Sequence, residues 1–301
     1  MSRPEREDPD VAEPTDAEAT GATGATGSAD LPSSQELREL AVALATAAGA
    51  LVREARTRTV EVAATKSTDV DVVTRTDTDS EALLHRMIAQ ARPQDGILGE
   101  EGTSVAGTSG LTWVLDPVDG TVNFLYDVAP FAVSVAVCAG PPEPGAWTLL
   151  AGAVHDVPGD RTWSAARDGG AYLDEQRIPP VAARPLGQSL VGTGFGYDAG
   201  RRAAQAEVLT RVLPEVRDIR RLGSAAIDLC LVASGRLDLY YERGLNPWDM
   251  AAGELVATES GAVVRGLGER PADARMTVAG PAESVDALAR ILEQARADEG
   301  A

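Results

Sequence analysis

The chain has very little lysine, histidine, cysteine or aromatic character. Lys66 is the only lysine among 27 basic side chains, two histidines and two cysteines occur in 301 residues, and aromatics make up 4%. Each scarcity narrows the reading. With so few rings, Leu, Val and Ala must fill much of the core. Cys138 and Cys230 sit in apolar segments, AVSVAVCAG and AAIDLCLVAS, and read as reduced core residues. A long hydrophobic run is missing too. The uncharged stretch from Val128 to Gly140 is too short to span a bilayer. No basic region followed by an apolar one opens the chain, so neither a membrane partner nor a secretory signal is expected, and a cytoplasmic location is the plain inference. Positive charge is in deficit: 27 Lys and Arg face 46 Asp and Glu, a formal charge of -19. That excludes nucleic acid as a main partner.

What is present is a globular chain, 44% hydrophobic and long enough for one large domain or two close-packed halves. Residues 1–33 read as a disordered acidic tail, rich in Glu, Asp, Thr, Gly, Ala and Pro, with the low-complexity piece GATGATG. Two α/β halves are expected, 34–185 and 186–301, with a soft boundary near 183–188. Leu37, Leu40, Ala41, Leu44, Ala48, Leu51 and Val52 recur at helical spacing and predict a helix over 34–57. A short strand is expected over 59–64, a loop carrying Lys66, and a second helix over 78–91. GILG, LTWVLD and 131–138 read as strands, and 149–156 with 161–166 as a hairpin turning at PGD. Residues 176–185 read as a surface connection. Beyond it, strands near 189–194, 219–222, 237–241 and 278–280 alternate with helices over 201–213, 224–233, 248–260 and 284–297. Gly235 and Gly261 stand at two of the helix ends. The pattern is α/β, with strand hairpins and helical crossovers in alternating layers.

The segment WVLDPVDGTVNF holds the richest chemistry. Asp116 and Asp119 lie three apart at the mouth of a strand. Pro117 fixes one backbone angle, and Gly120 permits close backbone approach. A helical turn beginning at Gly120 or Thr121 would aim backbone N–H groups at a phosphate. Two carboxylates at one turn suit a hard cation such as Mg²⁺. Taken alone, Asp119 reads equally as a turn cap and Asp116 as a surface acid. Glu100 and Glu101 read as a solvated loop, and Asp249 as the first-turn charge of an apolar helix. All of these acids, however, lie at the start or end of an element, where ligand sites of α/β proteins gather. An acidic cluster that handles an anion needs cations to invert its field.

The chain resembles the inositol monophosphatase family, within the lithium-sensitive, magnesium-dependent phosphatases. WVLDPVDGTVNF and NPWDMAAGELVATESGAVV match two family signatures. GEE, KSTDVDVVTRTD and RRLGSAAIDLCLVASGRLDLYYERG match in order, and the resemblance spans about residues 36–295. It implies a five-layered αβαβα sandwich of the inositol monophosphatase and fructose-1,6-bisphosphatase type, assembled as a homodimer. It implies two or three Mg²⁺ ions: Glu100 and the carbonyl of Val118 at the first, Asp116 bridging, Asp119 and Asp249 at the second, and Glu101 beside a more weakly occupied position. It implies that Asp77 and Thr121 orient the attacking water, and that Gly120 and Thr121 bind phosphate through the backbone. Gly223, Ser224, Ala225 and Glu242 would hold the hydroxyls of a polyol, beside Asp119 and Asp249. Lys66 matches the family's loop lysine, five residues before Asp71.

The implied reaction is hydrolysis of a small phosphate monoester by a metal-activated water, without a phosphoenzyme. Neither cysteine lies in a phosphate-cradling loop, against a cysteine phosphatase, and His85 and His155 read as structural. Inositol 1-phosphate is the leading substrate, because Glu242 suits vicinal hydroxyls. A phosphorylated sugar or amino alcohol, such as fructose 1,6-bisphosphate or histidinol phosphate, or a nucleotide 3'-phosphate stays open. So does a regulatory protein that keeps the fold only to bind a macromolecule.

Overall fold

A computed structural model describes residues 32–57, 62–65, 72–102 and 104–299. The expectations for residues 1–31 and for Lys66 lie outside them. The chain runs α1 (Ser34–Arg56), β1 (Val62–Thr65), β2 (Val72–Thr74), α2 (Arg75–Ala91), β3 (Gly96–Gly99), β4 (Ser104–Val105), β5 (Leu111–Asp119) and α3 (Thr121–Tyr126). It continues with β6 (Ala132–Ala139), β7 (Thr148–Asp156), β8 (Arg161–Ala166), β9 (Gly170–Leu173), β10 (Gln176–Arg177), β11 (Leu190–Thr193), α4 (Ala199–Val212) and β12 (Asp218–Arg220). The last elements are α5 (Ala225–Ala233), β13 (Leu239–Glu242), α6 (Pro247–Glu259), β14 (Val263–Arg265), β15 (Thr277–Gly280) and α7 (Ala282–Gln294).

Strand alternation sorts the apolar residues into layers. The first large sheet has the order β10-β9-β8-β7-β6-β5-β3-β4 and is antiparallel except between β3 and β5. On β5 and β6, Trp113, Leu115, Val133, Val135 and Val137 face α1 and α2, while Val114, Ala132, Ala136 and Cys138 face α5 and α6. The second sheet, β12-β11-β13-β15-β14, repeats the device. Tyr240 and Ala279 pack toward α5 and α6, and Leu239, Tyr241 and Val278 pack toward α7. The layers are therefore α1/α2, sheet, α5/α6, sheet, α4/α7, the expected αβαβα order. Helices α5 and α6 are apolar on most sides because a sheet covers each face. Among the described residues no helix is long and apolar enough to cross a membrane.

Two corrections bear on the site. Helix α2 begins at Arg75, not near 78, because Thr74 and Asp77 form a reciprocal capping box. Asp77 thus sits in the first helical turn. The stretch expected as a surface connection contributes β10, a two-residue edge strand on β9. Strands β4, β9, β10 and β14 are too short to carry a periodic signal.

Candidate active site

The site grows from one irregular strand. Pro117 lies within β5, a central strand flanked by β3 and β6, where a residue without an N–H breaks the ladder. The break is a bulge: Asp116 faces Ser134 and Asp119 faces Ala132, so three steps on β5 match two on β6. The bulge keeps both aspartates buried at the strand end. The Asp116 carboxylate accepts from the Val118 amide at 3.0 Å. The parallel neighbour β3 brings the glutamate alongside, since Gly99 pairs with Leu115 and the Glu100 amide donates to the Leu115 carbonyl at 3.2 Å. Glu100 therefore stands next to Asp116 by register alone.

Beyond Asp119 the chain turns at Gly120, with φ 91°, into α3. A Cβ at Gly120 would lie 3.1 Å from the Gly223 carbonyl and 3.2 Å from that of Pro130, so only glycine fits. The Thr121 hydroxyl lies 3.1 Å from Asp77 Oδ1 and 3.0 Å from the Val118 carbonyl. Asp77 Oδ2 is held by the Thr74 hydroxyl and by its amide at 2.9 Å. Asp119 Oδ2 accepts from the Ser224 hydroxyl at 2.6 Å and the Ala226 amide at 2.8 Å, at the start of α5. Asp249 is the third residue of α6, following Pro247, and takes the Asn246 amide at 2.6 Å. Glu242 ends β13 and accepts from the Tyr240 hydroxyl at 2.6 Å.

These elements enclose a cavity of about 540 Å³, lined by Glu100, Asp116, Asp119, Glu242 and Asp249, with Val118, Gly120, Thr121, Gly223 and Ala225 between them. Burial is the chief cause that lifts Asp116 and Asp249 well above the ordinary aspartate range, followed by repulsion from Glu100 and Asp119. Asp119 is pushed up to about 7, again first by burial, against the lowering effect of Ser224 and Ala226. Burial also raises Asp77 and Glu242. Buried, mutually repelling carboxylates are costly without a counter-charge. Their hard oxygen donors, with the Val118 carbonyl, fit Mg²⁺ in chemistry. Among the described residues no three ligands already surround a common point. Asp116, Asp119 and Asp249 each turn one oxygen to a backbone amide, and Asp116 also shares a hydrogen bond with Glu100. The thiols of Cys138, raised to about 11, and Cys230 stay protonated through burial.

Three expected residues are not on the cavity wall. Asp77 is buried and reaches the cavity through Thr121. Ser224 is buried under Asp119 and caps α5. Glu101 is half-buried, and its amide donates to Glu81 Oε2 at 3.0 Å. Lys66 lies outside the described residues. The cavity also includes Trp248, Arg201 and Arg221, which the motifs do not single out. Trp248 adjoins Asp249 within a quoted signature and was within reach of sequence reading. Arg221 likewise falls within the matched segment RRLGSAAID, whereas Arg201 carries no such signal. His155 is buried against α1, with Nδ1 2.9 Å from the Thr162 hydroxyl.

Comparison with known proteins bears on the family and the fold. The family model described as inositol monophosphatase family matches residues 33–297. Inositol-1-monophosphatase SuhB of Mycobacterium tuberculosis is 45% identical over 246 residues, covering 76% of this chain and 83% of its own. Nus factor SuhB of Escherichia coli is 37% identical over 228 residues, covering 75% and 83%. Among solved structures, the extragenic suppressor protein suhB of Bartonella henselae superposes with a TM-score of 0.79 at 31% identity, over 86% of this chain and 99% of that one. Mycobacterium tuberculosis SuhB gives 0.75 at 42%, over 89% and 100%. From the match along nearly the whole folded region and the shared fold, the chain belongs to the inositol monophosphatase family, as a metal-dependent phosphate-monoester hydrolase.

Proposed function

We propose that the protein hydrolyses inositol 1-phosphate, or a close polyol phosphate, with Mg²⁺ held by Glu100, Asp116, Asp119, Asp249 and the Val118 carbonyl. The observation that carries the reading is the convergence of four acids, from β3, β5 and α6, on one cavity beside the Gly120 turn. Bound Mg²⁺ supplies positive charge to the phosphate oxygens and the departing alkoxide. The chain's own residues do the rest. With the Val118 carbonyl turned to the cation, Thr121 would give its proton to Asp77 Oδ1 and keep lone pairs for an attacking water. Burial makes Asp77 a better proton acceptor than an exposed aspartate, so Thr121 can pass its proton there as it takes one from water. The backbone at Gly120 and Thr121 faces the phosphate. Glu242, with Gly223 and Ala225, stands where vicinal hydroxyls would lie, and Ser224 acts through Asp119. Inhibition by Li⁺, a homodimer and the division into halves at 183–188 belong to the same reading.

The test is phosphate release from inositol 1-phosphate, histidinol phosphate, fructose 1,6-bisphosphate, adenosine 3',5'-bisphosphate and NADP, each with Mg²⁺, with EDTA, and with Mg²⁺ plus Li⁺. Inositol 1-phosphate is expected to give the highest kcat/KM, with loss of turnover in EDTA and inhibition by Li⁺. Undiminished turnover in EDTA would overturn the metal reading. A preference of about a hundredfold, or 2.7 kcal/mol, for another substrate would overturn the substrate assignment alone. No release from any substrate would favour a binding role.

A further inference from the structure

We infer that Glu81, assisted by Ser80, is a positioning residue for one Mg²⁺ ion: from behind the cavity, α2 holds the two stretches of backbone that present Glu100 and the Val118 carbonyl. This role rests on the metal-dependent reading of the acids on the cavity floor and adds to it the source of their rigidity.

Helix α2 buries one face, and that face changes character along its length. Leu84 and Ile88 join the apolar core, whereas Asp77, Ser80 and Glu81, nearer the N-terminus, are polar and also buried. The five positions share a side through helical spacing. None of the three polar residues lines the cavity, unlike Arg201 and Arg221 at its rim. Burying a polar side chain is costly unless it finds a partner. Each of the three finds one in the floor. Asp77 meets the Thr121 hydroxyl. Ser80 donates to the Pro117 carbonyl at 3.1 Å. Glu81 Oε2 accepts from the Glu101 amide at 3.0 Å.

The last two are backbone groups that the sheet does not serve. The Pro117 carbonyl lies in the bulge of β5, where register is lost between Asp116 and Asp119. Strand β3 ends at Gly99, and the Glu100 amide still reaches the Leu115 carbonyl, but the Glu101 amide lies beyond that ladder. The Pro117 carbonyl immediately precedes Val118, and the Glu101 amide immediately follows Glu100. One helix face therefore fixes the backbone beside both donors assigned to the same ion.

Glu81 is closely fitted to this task. A Cβ at Gly99 would lie 2.6 Å from its Cδ, so the carboxyl rests on the β3 backbone and only glycine leaves it room. Gly99 has no left-handed φ, so that clearance is what a larger residue would lose. Glu81 Oε1 is buried without a hydrogen-bond partner. A buried acid with an unused oxygen is unfavourable, and packing alone would place an apolar residue there, as it does at Leu84. The position is thus kept for the site and not for the core.

The experiment measures Mg²⁺ affinity by calorimetry, and Tm in EDTA, for the full chain and for Glu81→Ala, Glu81→Gln, Ser80→Ala, Gly99→Ala, Glu81→Ala combined with Gly99→Ala, and Ile88→Val. Glu81→Ala should weaken Mg²⁺ binding about tenfold, as for other lost supports of metal ligands, and Ser80→Ala by less. Glu81→Gln keeps an oxygen for the Glu101 amide and should recover most of that loss. Gly99→Ala should weaken binding in the native background, by displacing the carboxyl, but add nothing to Glu81→Ala, where the space is empty. Ile88→Val, an apolar change on the same helix face, should lower Tm and leave Mg²⁺ affinity unchanged. At saturating Mg²⁺, Glu81→Ala should regain most of its kcat, with an unaltered KM for inositol 1-phosphate. Mg²⁺ affinity untouched by Glu81→Ala, equal loss in Ile88→Val, or additive losses in the double variant would each overturn the positioning role and leave the phosphatase reading intact. A wild-type chain that binds no Mg²⁺ overturns both.

Discussion

On the cavity floor, Asp116, Asp119 and Asp249 each have a backbone amide assigned to one oxygen; on the rim, Arg201 and Arg221 have no such fixed partner. The floor acids are oriented before any cation or substrate arrives. Their partners come from bulged β5 and from the first turns of α5 and α6, rigid elements wedged between sheets. The rim is set on the start of α4 and the loop after β12, held mainly by glycine clearance. Pre-oriented oxygen ligands reduce the reorganisation needed when charge develops, so chemistry belongs to the floor.

The largest effect is expected at the centre of the floor. Asp116→Asn should lower kcat by about a thousandfold at saturating Mg²⁺, since a group acting on the metal contributes several kcal/mol. Glu101→Gln, whose residue is off the cavity wall, should lower it far less. Parallel steady-state kinetics decide the ranking, and equal losses would erase the distinction between wall and surroundings.

A smaller effect tests the support beneath the floor. Ser224→Ala removes both the 2.6 Å bond to Asp119 and the cap of α5. Mg²⁺ affinity should fall about tenfold, as for lost supports of metal ligands, and unfolding should become easier by about 1 kcal/mol. Calorimetric Mg²⁺ titration and denaturant melts measure the two losses separately. An unchanged Mg²⁺ affinity would mean that Asp119 is oriented by the Ala226 amide alone.

The smallest effect is in pH dependence. The native values of Asp116, Asp119 and Asp249 lie above the ordinary 3.8, with Asp119 at about 7. Without metal, the native state therefore holds more protons than the unfolded chain between those limits. Stability from these groups is greatest below the unfolded value and is lost as pH rises through about 7. Metal-free protein should lose stability as pH rises from about 5 to about 8, and Mg²⁺ should restore more of it at the higher pH. Thermal melts in EDTA and in Mg²⁺ check this. A metal-free Tm that rises over the same range would show that the acids are already compensated by other charges.

Much of the floor was legible because its signals are local. Asp116, Pro117, Asp119 and Gly120 form one contiguous turn, and a proline inside an apolar strand can only mark an edge or a bulge. The capping box at Thr74 and Asp77 is also local. It was legible as S/T-x-x-D/E spacing, yet helical periodicity alone placed the start of α2 three residues late. The rim was not legible. Arg201 is one of many arginines with nothing adjacent to distinguish it from a solvated surface charge, and Arg221, though within the matched segment RRLGSAAID, shows no local sign that it lines the cavity.

The main helices, the longer strands and their core faces followed from the sequence by itself, because periodicity, proline and glycine act over a few residues, and the family resemblance picked out the candidate acids. Tertiary structure decided which acids meet. Glu100 stands beside Asp116 only through the parallel register of β3 on β5, and Asp119 reaches Ser224 and Ala226 across more than 100 residues of chain. It also decided that Arg201 and Arg221 line the same cavity. Their charge gains meaning from what shares that cavity, and no local pattern encodes its other walls.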